Sequence, residues 1–243
     1  MTTTTTTTTT IGTCDLATFR AAIAIALCWS DRDAGNIRYG LHHIQLAPRD
    51  GAILVRATDG RRAGELRVDA SSEVAGEPVY LGAEDAKRIA RGTSDGRAWI
   101  NRDSMILEWR SNRSAKRLAA PILDSVRYPD LDLYLRDPWP TAPAATGYAS
   151  EFLQLLQWDN VVIKGDASCH LGARAASRIK VEAGWGPVRL NPKLLADWLI
   201  LWPDETDKRY RLSAIADPDP RKPIRISSDH GLLRFIAMPL ETR

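Results

Sequence analysis

Val55-Arg-Ala-Thr-Asp-Gly-Arg-Arg-Ala-Gly64 opens as a strand and breaks at Asp59-Gly60. Asp-Gly flanked by strand-like residues is a strong hairpin signal, so the stretch predicts a β-turn whose first arm is Ile53 to Thr58. A second turn, Pro48-Arg-Asp-Gly51, lies just before it, and a strand from Ile37 to Leu46 lies before that. Further on, Glu65 to Val68 alternates polar and apolar residues, and Glu77 to Leu81 leads into a short helix from Ala83 to Arg91. Ala98-Trp-Ile100 and Met105 to Arg110 read as β again, with Met105, Leu107 and Trp109 on one face. Upstream of the hairpin, Thr13 or Asp15 can cap a helix that carries Leu16, Phe19, Ile23 and Leu27 on one side. That helix gives way to a turn at Asp33-Ala-Gly-Asn36. The chain starts with nine threonines, Thr2 to Thr10. Such a tract buries almost nothing, so residues 1–9 are expected to be disordered, while its last residues can pair as a strand leading to Ile11.

Proline, glycine and small residues cluster at Asp137-Pro-Trp-Pro140 and the Thr-Ala-Pro-Ala-Ala-Thr-Gly that follows. This composition marks a linker and divides the chain into domains at 1–138 and 139–243. The second half repeats the rhythm. Ser150 to Gln157 is a short helix, and Val161 to Ile163 and Arg178 to Glu182 are strand-like. The clearest helix starts at Asn191, a good N-cap, with Pro192 at the first helical position. Leu194, Leu195, Trp198, Leu201 and Trp202 share its apolar face, and Pro203 stops it. Arg209 to Ile215, Pro223 to Ser227 and Leu232 to Ala237 complete the strand candidates. Periodicity alone therefore yields an α+β protein of two similar domains, each with amphipathic helices packed on antiparallel sheet.

Bulk composition agrees with this. The 243 residues suit two domains, and 44 % apolar residues are enough for two cores. A net charge of +3 permits nucleic-acid contact without demanding it. Cys14, Cys28 and Cys169 are odd in number and widely spaced, which points to a reducing compartment. No apolar run is long enough to cross a bilayer, and the start has no signal-peptide pattern, so a cytoplasmic protein is expected.

Three stretches carry a family resemblance. The first runs from Asn36-Ile-Arg-Tyr-Gly-Leu-His-His-Ile44 through Val55-Arg-Ala-Thr-Asp-Gly-Arg-Arg-Ala-Gly64. It resembles the R-Y-x-L-N-G and V-A-T-D-G-H-R-L-A segments in the middle domain of the bacterial DNA sliding clamp, the β subunit of DNA polymerase III. Arg127-Tyr-Pro-Asp-Leu131 is similar to the F-P-D-Y that closes the same domain. Val188-Arg-Leu-Asn-Pro-Lys-Leu-Leu-Ala-Asp-Trp-Leu199 and the ending Phe235-Ile-Ala-Met-Pro-Leu240 resemble the F-N-x-x-Y-L-x-D-x-L helix and V-M-P-M terminus of the last domain. Each stretch alone is weak, but their order and rough spacing agree over nearly the whole chain. The resemblance implies a DNA-clamp fold that starts at the family's middle domain and lacks the first of the three usual domains. Six domains would then close a ring from three copies, so a homotrimer is favoured over a homodimer.

The resemblance further implies a protein that is not an enzyme and uses no cofactor or metal. It would surround double-stranded DNA and serve as a processivity factor in replication and repair, with a clamp loader as a possible partner. Arg20, Lys87, Arg88, Arg91 and Lys193 are the helix cations that would face DNA; taken without the family, they read as a solvated surface. DNA polymerase and other proteins bearing clamp-binding motifs would dock in a pocket between the two domains. Its matching positions are Leu41, Thr58, Gly60, Arg61, Arg62, Ala63, Pro129, Met238, Pro239 and Leu240, with Leu133 and Tyr134 as neighbours. This chain departs from the family at Arg61, where the family has His, and at Ala63, where it has Leu. The family's basic pair after F-P-D-Y is replaced by Asp132 and Leu133. A shallower, more basic pocket is expected.

Two other readings compete. One is a clamp-fold adaptor that binds peptides without encircling DNA. The other is a metal-dependent nucleic-acid enzyme using Asp130 with Asp132 or Asp217 with Asp219. Both Asp pairs sit in proline-containing turns, where Asp is common for backbone reasons. His42 and His43 are adjacent and would point to opposite faces of a strand. No nucleotide, zinc-protease or serine-nucleophile motif occurs.

Overall fold

The computed structural model describes residues 10–31, 40–71, 76–92, 95–101, 104–111, 114–123, 126–136, 145–158, 161–163, 166–170, 180–181, 189–190, 193–203, 207–215 and 223–238. The tract at 1–9 and the linker from 137 to 144 lie outside these residues. The chain forms two compact units. One comprises residues 1–57 and 67–128, the other 58–66 and 129–243. The fold is α+β, with antiparallel sheet throughout and few helices.

In the first unit, β1 (Thr10–Asp15) runs into α1 (Leu16–Trp29). Asp15 caps α1: its carboxylate accepts from the Thr18 backbone N–H at 2.8 Å and from the Thr18 hydroxyl at 2.7 Å. Leu16, Phe19, Ile23, Ala26 and Trp29 are buried, as the periodicity requires. β2 (His43–Arg49) and β3 (Ala52–Thr58) form a hairpin. Its turn is Asp50-Gly51 alone, with φ of 47° and 71°. Two positive φ values match the right-handed twist of the strands, and Asp-Gly supplies them cheaply. Pro48, expected in this turn, instead pairs with Ile53 inside the ladder. β4 (Arg62–Ser71) pairs with β1 at Ser71 and Ala70. β5 (Val79–Gly82) pairs with β2, and α2 (Ala83–Ala90) follows and packs against α1. β6 (Gly96–Asn101), β7 (Ser104–Ser111) and β8 (Ser114–Pro121) extend the sheet outward from β1. Ile44, Leu46, Ile53, Val55, Leu81, Ala98, Ile100 and Met105 are each fully buried, so strands and helices share one core.

After the early segment 58–66, the second unit continues with α3 (Asp132–Leu135), β9 (Ala145–Gly147) and α4 (Ala149–Trp158). β10 (Val161–Ile163), β11 (Asp166–His170) and, after β12 (Lys180–Val181), β13 (Arg189–Leu190) form a small sheet in the order β10-β11-β13. α5 (Lys193–Leu199) comes next. β14 (Leu212–Ile215), β15 (Ile224–Ser228) and β16 (Leu233–Ala237) are the main ladder, with β9 and β12 beyond β14. On the other side of β16 lie Arg62 to Leu66 of β4, paired from Ala237 to Leu233. Trp198 is fully buried, its ring 4.9 Å from Phe235 and 6.4 Å from Trp202. Trp202 donates its indole N–H to the Tyr210 carbonyl at 2.8 Å, so a large aromatic enters the core with its polar atom satisfied. Leu201, expected on the apolar face of α5, is exposed, and Leu199 is buried in its place. The helix ends at Leu199, and Leu201 falls in the turn after it. Among the described residues no helix is long and apolar enough to cross a membrane.

Candidate functional site

The Asp59-Gly60 turn belongs to the second unit and is fastened on every side within it. Gly60 has φ of 83°, which glycine adopts without strain. Asp59 accepts from the backbone N–H groups of Arg61 at 2.9 Å and Arg62 at 3.0 Å. The buried Thr58 hydroxyl donates to the Arg62 carbonyl at 2.6 Å and accepts from Gly60 N–H at 3.1 Å. The Arg61 carbonyl accepts from Met238 N–H at 2.8 Å, which joins the turn to the end of β16. The Arg62 side chain is only 8 % exposed. Its guanidinium donates to Asp59 at 3.1 Å, to the Leu194 carbonyl at 2.9 Å, and as a fork to the two oxygens of Asp197 at 2.7 and 3.0 Å.

Of the residues expected in a partner pocket, Gly60 is exposed and four others present side chains at the surface of this unit. Arg61 is exposed, and the large apolar side chains of Leu133, Tyr134 and Met238 are 65, 54 and 46 % exposed. Leu133 and Tyr134 ride on α3, which is pinned by Arg136. That side chain donates to Asp132 at 2.6 Å and to the buried Glu65 at 3.3 Å. Pro129 is half-buried, and Ala63 is buried in the ladder opposite Ile236. Leu41 belongs to the first unit and is buried there, its carbonyl accepting from Asp31 N–H at 2.9 Å. Pro239 and Leu240 lie outside the described residues.

The expected DNA-facing cations divide sharply. Lys87, Arg88 and Arg91 are exposed on or just after α2, opposite the buried Ala86 and Ile89. Lys87 pairs with Glu84 at 2.6 Å, and Arg88 with Asp85 at 2.7 Å. Arg20 is buried, only 5 % exposed. Its guanidinium lies so close to Gly92 that a Cβ there would sit 2.3 Å from the central carbon. Arg20 thus packs inside the first unit, where burial lowers its pKa, and it offers no open face to a polyanion. Lys193 starts α5, and its side chain lies outside the described residues.

No known family profile matches the chain, and no characterised protein matches its sequence. Solved structures do match. The beta sliding clamp of C. crescentus superposes with a TM-score of 0.70 at 14 % identity, over 100 % of this chain and 68 % of that one. The DNA polymerase sliding clamp of Bacillus subtilis gives 0.69 at 11 % identity, over 98 % and 66 %. A sliding clamp of Pseudomonas aeruginosa bound to griselimycin gives 0.65 at 14 % identity, over 95 % and 65 %. This chain has the sliding-clamp fold. It spans about two-thirds of the length of the clamps it matches.

Within the clamp fold, sequence reasoning missed the groups that hold the site. Asp197 stands in the late stretch that resembles the clamp family, but its part comes from the buried Arg62, 135 positions away in sequence. Glu65 and Arg136 carry no local signal, because their pairing joins residues far apart in sequence. The carboxylates weighed as metal ligands have other duties: Asp130 accepts from Asp132 N–H at 3.0 Å, and Asp132 holds Arg136. Asp217 and Asp219 lie outside the described residues. The His42 and His43 rings lie with centroids 4.0 Å apart and tilted by 46°, rather than on opposite faces as expected, because His42 precedes the strand that starts at His43. Burial first, then the neighbouring His42, lowers the His43 pKa. Burial, reinforced by Asp15, pushes the Cys14 thiol up to about 12, which leaves it protonated and inert at neutral pH.

Proposed function

We propose that this chain is a non-enzymatic DNA sliding clamp. Copies of its two clamp-like domains, 1–138 and 139–243, close a ring around double-stranded DNA, a homotrimer in preference to a homodimer. The ring acts in the cytoplasm as a processivity factor for a DNA polymerase. The observation that carries this reading is a clamp fold that accounts for 95–100 % of the chain rather than one module of it. The exposed cations of α2 fit a sequence-independent attraction to phosphate, which a sliding protein needs. Exposed Arg61, Leu133, Tyr134 and Met238 fit a surface where peptide motifs of partner proteins dock. An apolar cluster anchors such a motif, methionine adapts to varied side chains, and Arg61 favours acidic ones.

Topology provides the test. The chain is loaded on a nicked circular plasmid, with a clamp loader if one is needed, and the DNA is then linearised. A ring stays on the circle through a high-salt wash and runs off the linear ends. Retention that does not depend on circularity, or a stable monomer in solution mass measurements, removes the ring. A monomer that still binds clamp-motif peptides would leave a clamp-fold adaptor instead.

A further inference from the structure

α2 carries competitors for the very cations it exposes. The Lys87 ammonium lies 2.6 Å from the Glu84 carboxylate and the Arg88 guanidinium 2.7 Å from Asp85, both pairs at i,i+3 on the helix. Both cationic side chains are about half exposed, at 51 %. The Glu84 pKa is lowered by its hydrogen bond to Lys87, by the charge of Lys87 and, more weakly, by Arg91, so the carboxylate stays charged and available. The three cations of this stretch and its two carboxylates sum to +1 rather than +3.

We infer that Glu84 and Asp85 act as built-in phosphate surrogates, which hold Lys87 and Arg88 between DNA contacts and set the grip of α2 on the duplex low. The inference rests on the DNA-facing reading of α2 given above. An unpaired lysine meeting DNA gains a full counterion-release term, whereas a paired one must first surrender its carboxylate. The two pairs are not equal. Glu84 is 88 % exposed and its pair is entirely at the surface, so Lys87 exchanges readily. Arg88 is also tied to the Ala119 carbonyl at 3.1 Å, and Asp85 is only 25 % exposed, so Arg88 exchanges less. For a ring held on DNA by closure, weak and exchangeable contacts are an advantage. Each cation leaves its phosphate for a waiting internal carboxylate, which lowers the barrier to the next step along the helix.

A plain structural role is the rival explanation, because acids in the first turn also stabilise a helix whose N-cap, Gly82, makes no side-chain cap bond. The experiment separates the two. The full chain and its variants are titrated with a linear duplex from about 50 to 200 mM salt, and thermal unfolding is followed in parallel. Glu84→Gln should raise duplex affinity roughly threefold at the low-salt end and steepen the log–log salt slope by about one. Asp85→Asn should move both in the same direction by less. In a Lys87→Ala background, Glu84→Gln should add clearly less, because most of its effect runs through Lys87 and only the weaker interaction with Arg91 remains. Asp50→Asn, an equal charge change on the β2–β3 turn, should leave the slope alone. An unchanged slope in Glu84→Gln, an equal gain in the Lys87→Ala background, or an equal gain from Asp50→Asn overturns the inference while leaving α2 on DNA. If Lys87→Ala with Arg88→Ala binds as the wild type does, the DNA-facing reading itself fails and the inference goes with it.

Discussion

Arg61 and Arg62 are neighbours of one residue type with opposite fates. The Arg61 side chain is exposed, while that of Arg62 is a buried hub whose guanidinium meets two carboxylates and one carbonyl. A guanidinium placed in so little water is tolerable only when its N–H groups find acceptors, and Asp59, Asp197 and Leu194 take four bonds from it. The role of Arg62 is therefore to weld the Asp59-Gly60 turn to α5, and the shape of the surface beside Arg61 depends on it. Asp197→Ala should destabilise the second unit by about 2–3 kcal/mol, since it takes the forked carboxylate from a largely buried charge. Urea unfolding measures this. Replacing the whole pair, Arg62→Met with Asp197→Leu, should recover part of the loss, because removing both charges also removes the desolvation cost. A change below about 0.5 kcal/mol in Asp197→Ala would show that water satisfies Arg62 and that the weld carries nothing.

At the scale of elements, the approach to β2 shows how much is set by space alone. Gly40 receives a conformational requirement from no φ value, yet a Cβ at its position would sit 2.1 Å from Val126 Cγ1 and 3.2 Å from His43 Nδ1. Its N–H donates to the Arg127 carbonyl at 2.8 Å, so the backbone cannot easily back away. Gly40→Ala should therefore cost about 1–3 kcal/mol through overpacking, and Val126→Ala should relieve most of it in the double variant. Additive losses in thermal or urea unfolding would refute the clash. Elements built on local rules were legible beforehand. The Asp15 cap, the α1 stripe of Leu16, Phe19 and Ile23, the Asp50-Gly51 and Asp59-Gly60 turns and the late strands at 212–237 all follow from spacing and turn chemistry. Elements defined only by their partners were not. β8 reads Ser-Ala-Lys-Arg-Leu-Ala-Ala-Pro, without alternation, and is a strand because β7 offers it a full antiparallel ladder. The site divides in the same way. The family resemblance named Met238 and Tyr134 as surface candidates and both are exposed, whereas Arg20 is buried beside Gly92, which a helical wheel of α1 does not contain.

For the whole molecule, the composition shifts near residue 138, while the compact units divide after residues 57, 66 and 128. The segment Thr58–Leu66 lies early in the chain but coheres with the second unit. It supplies β16 with its outer partner, from Leu233↔Leu66 to Ala237↔Arg62, and it supplies Asp197 with Arg62. The buried Phe235 and Ile236 sit on the strand that this segment covers. A fragment of residues 129–243 would keep β9, β14, β15 and β16 but leave β16 as a naked, apolar edge and take Arg62 away from Asp197. Such an edge favours association with other chains over a closed core. The fragment should therefore be poorly dispersed by NMR and aggregate, despite holding most of the residues of its unit. Supplying the missing strand in the same chain, as Ile53–Leu66 joined to the fragment by a flexible linker, should restore dispersion and a cooperative urea transition. If the bare fragment folds with native-like dispersion, the early segment is an accessory to the second unit and the division of the chain falls at the linker after all.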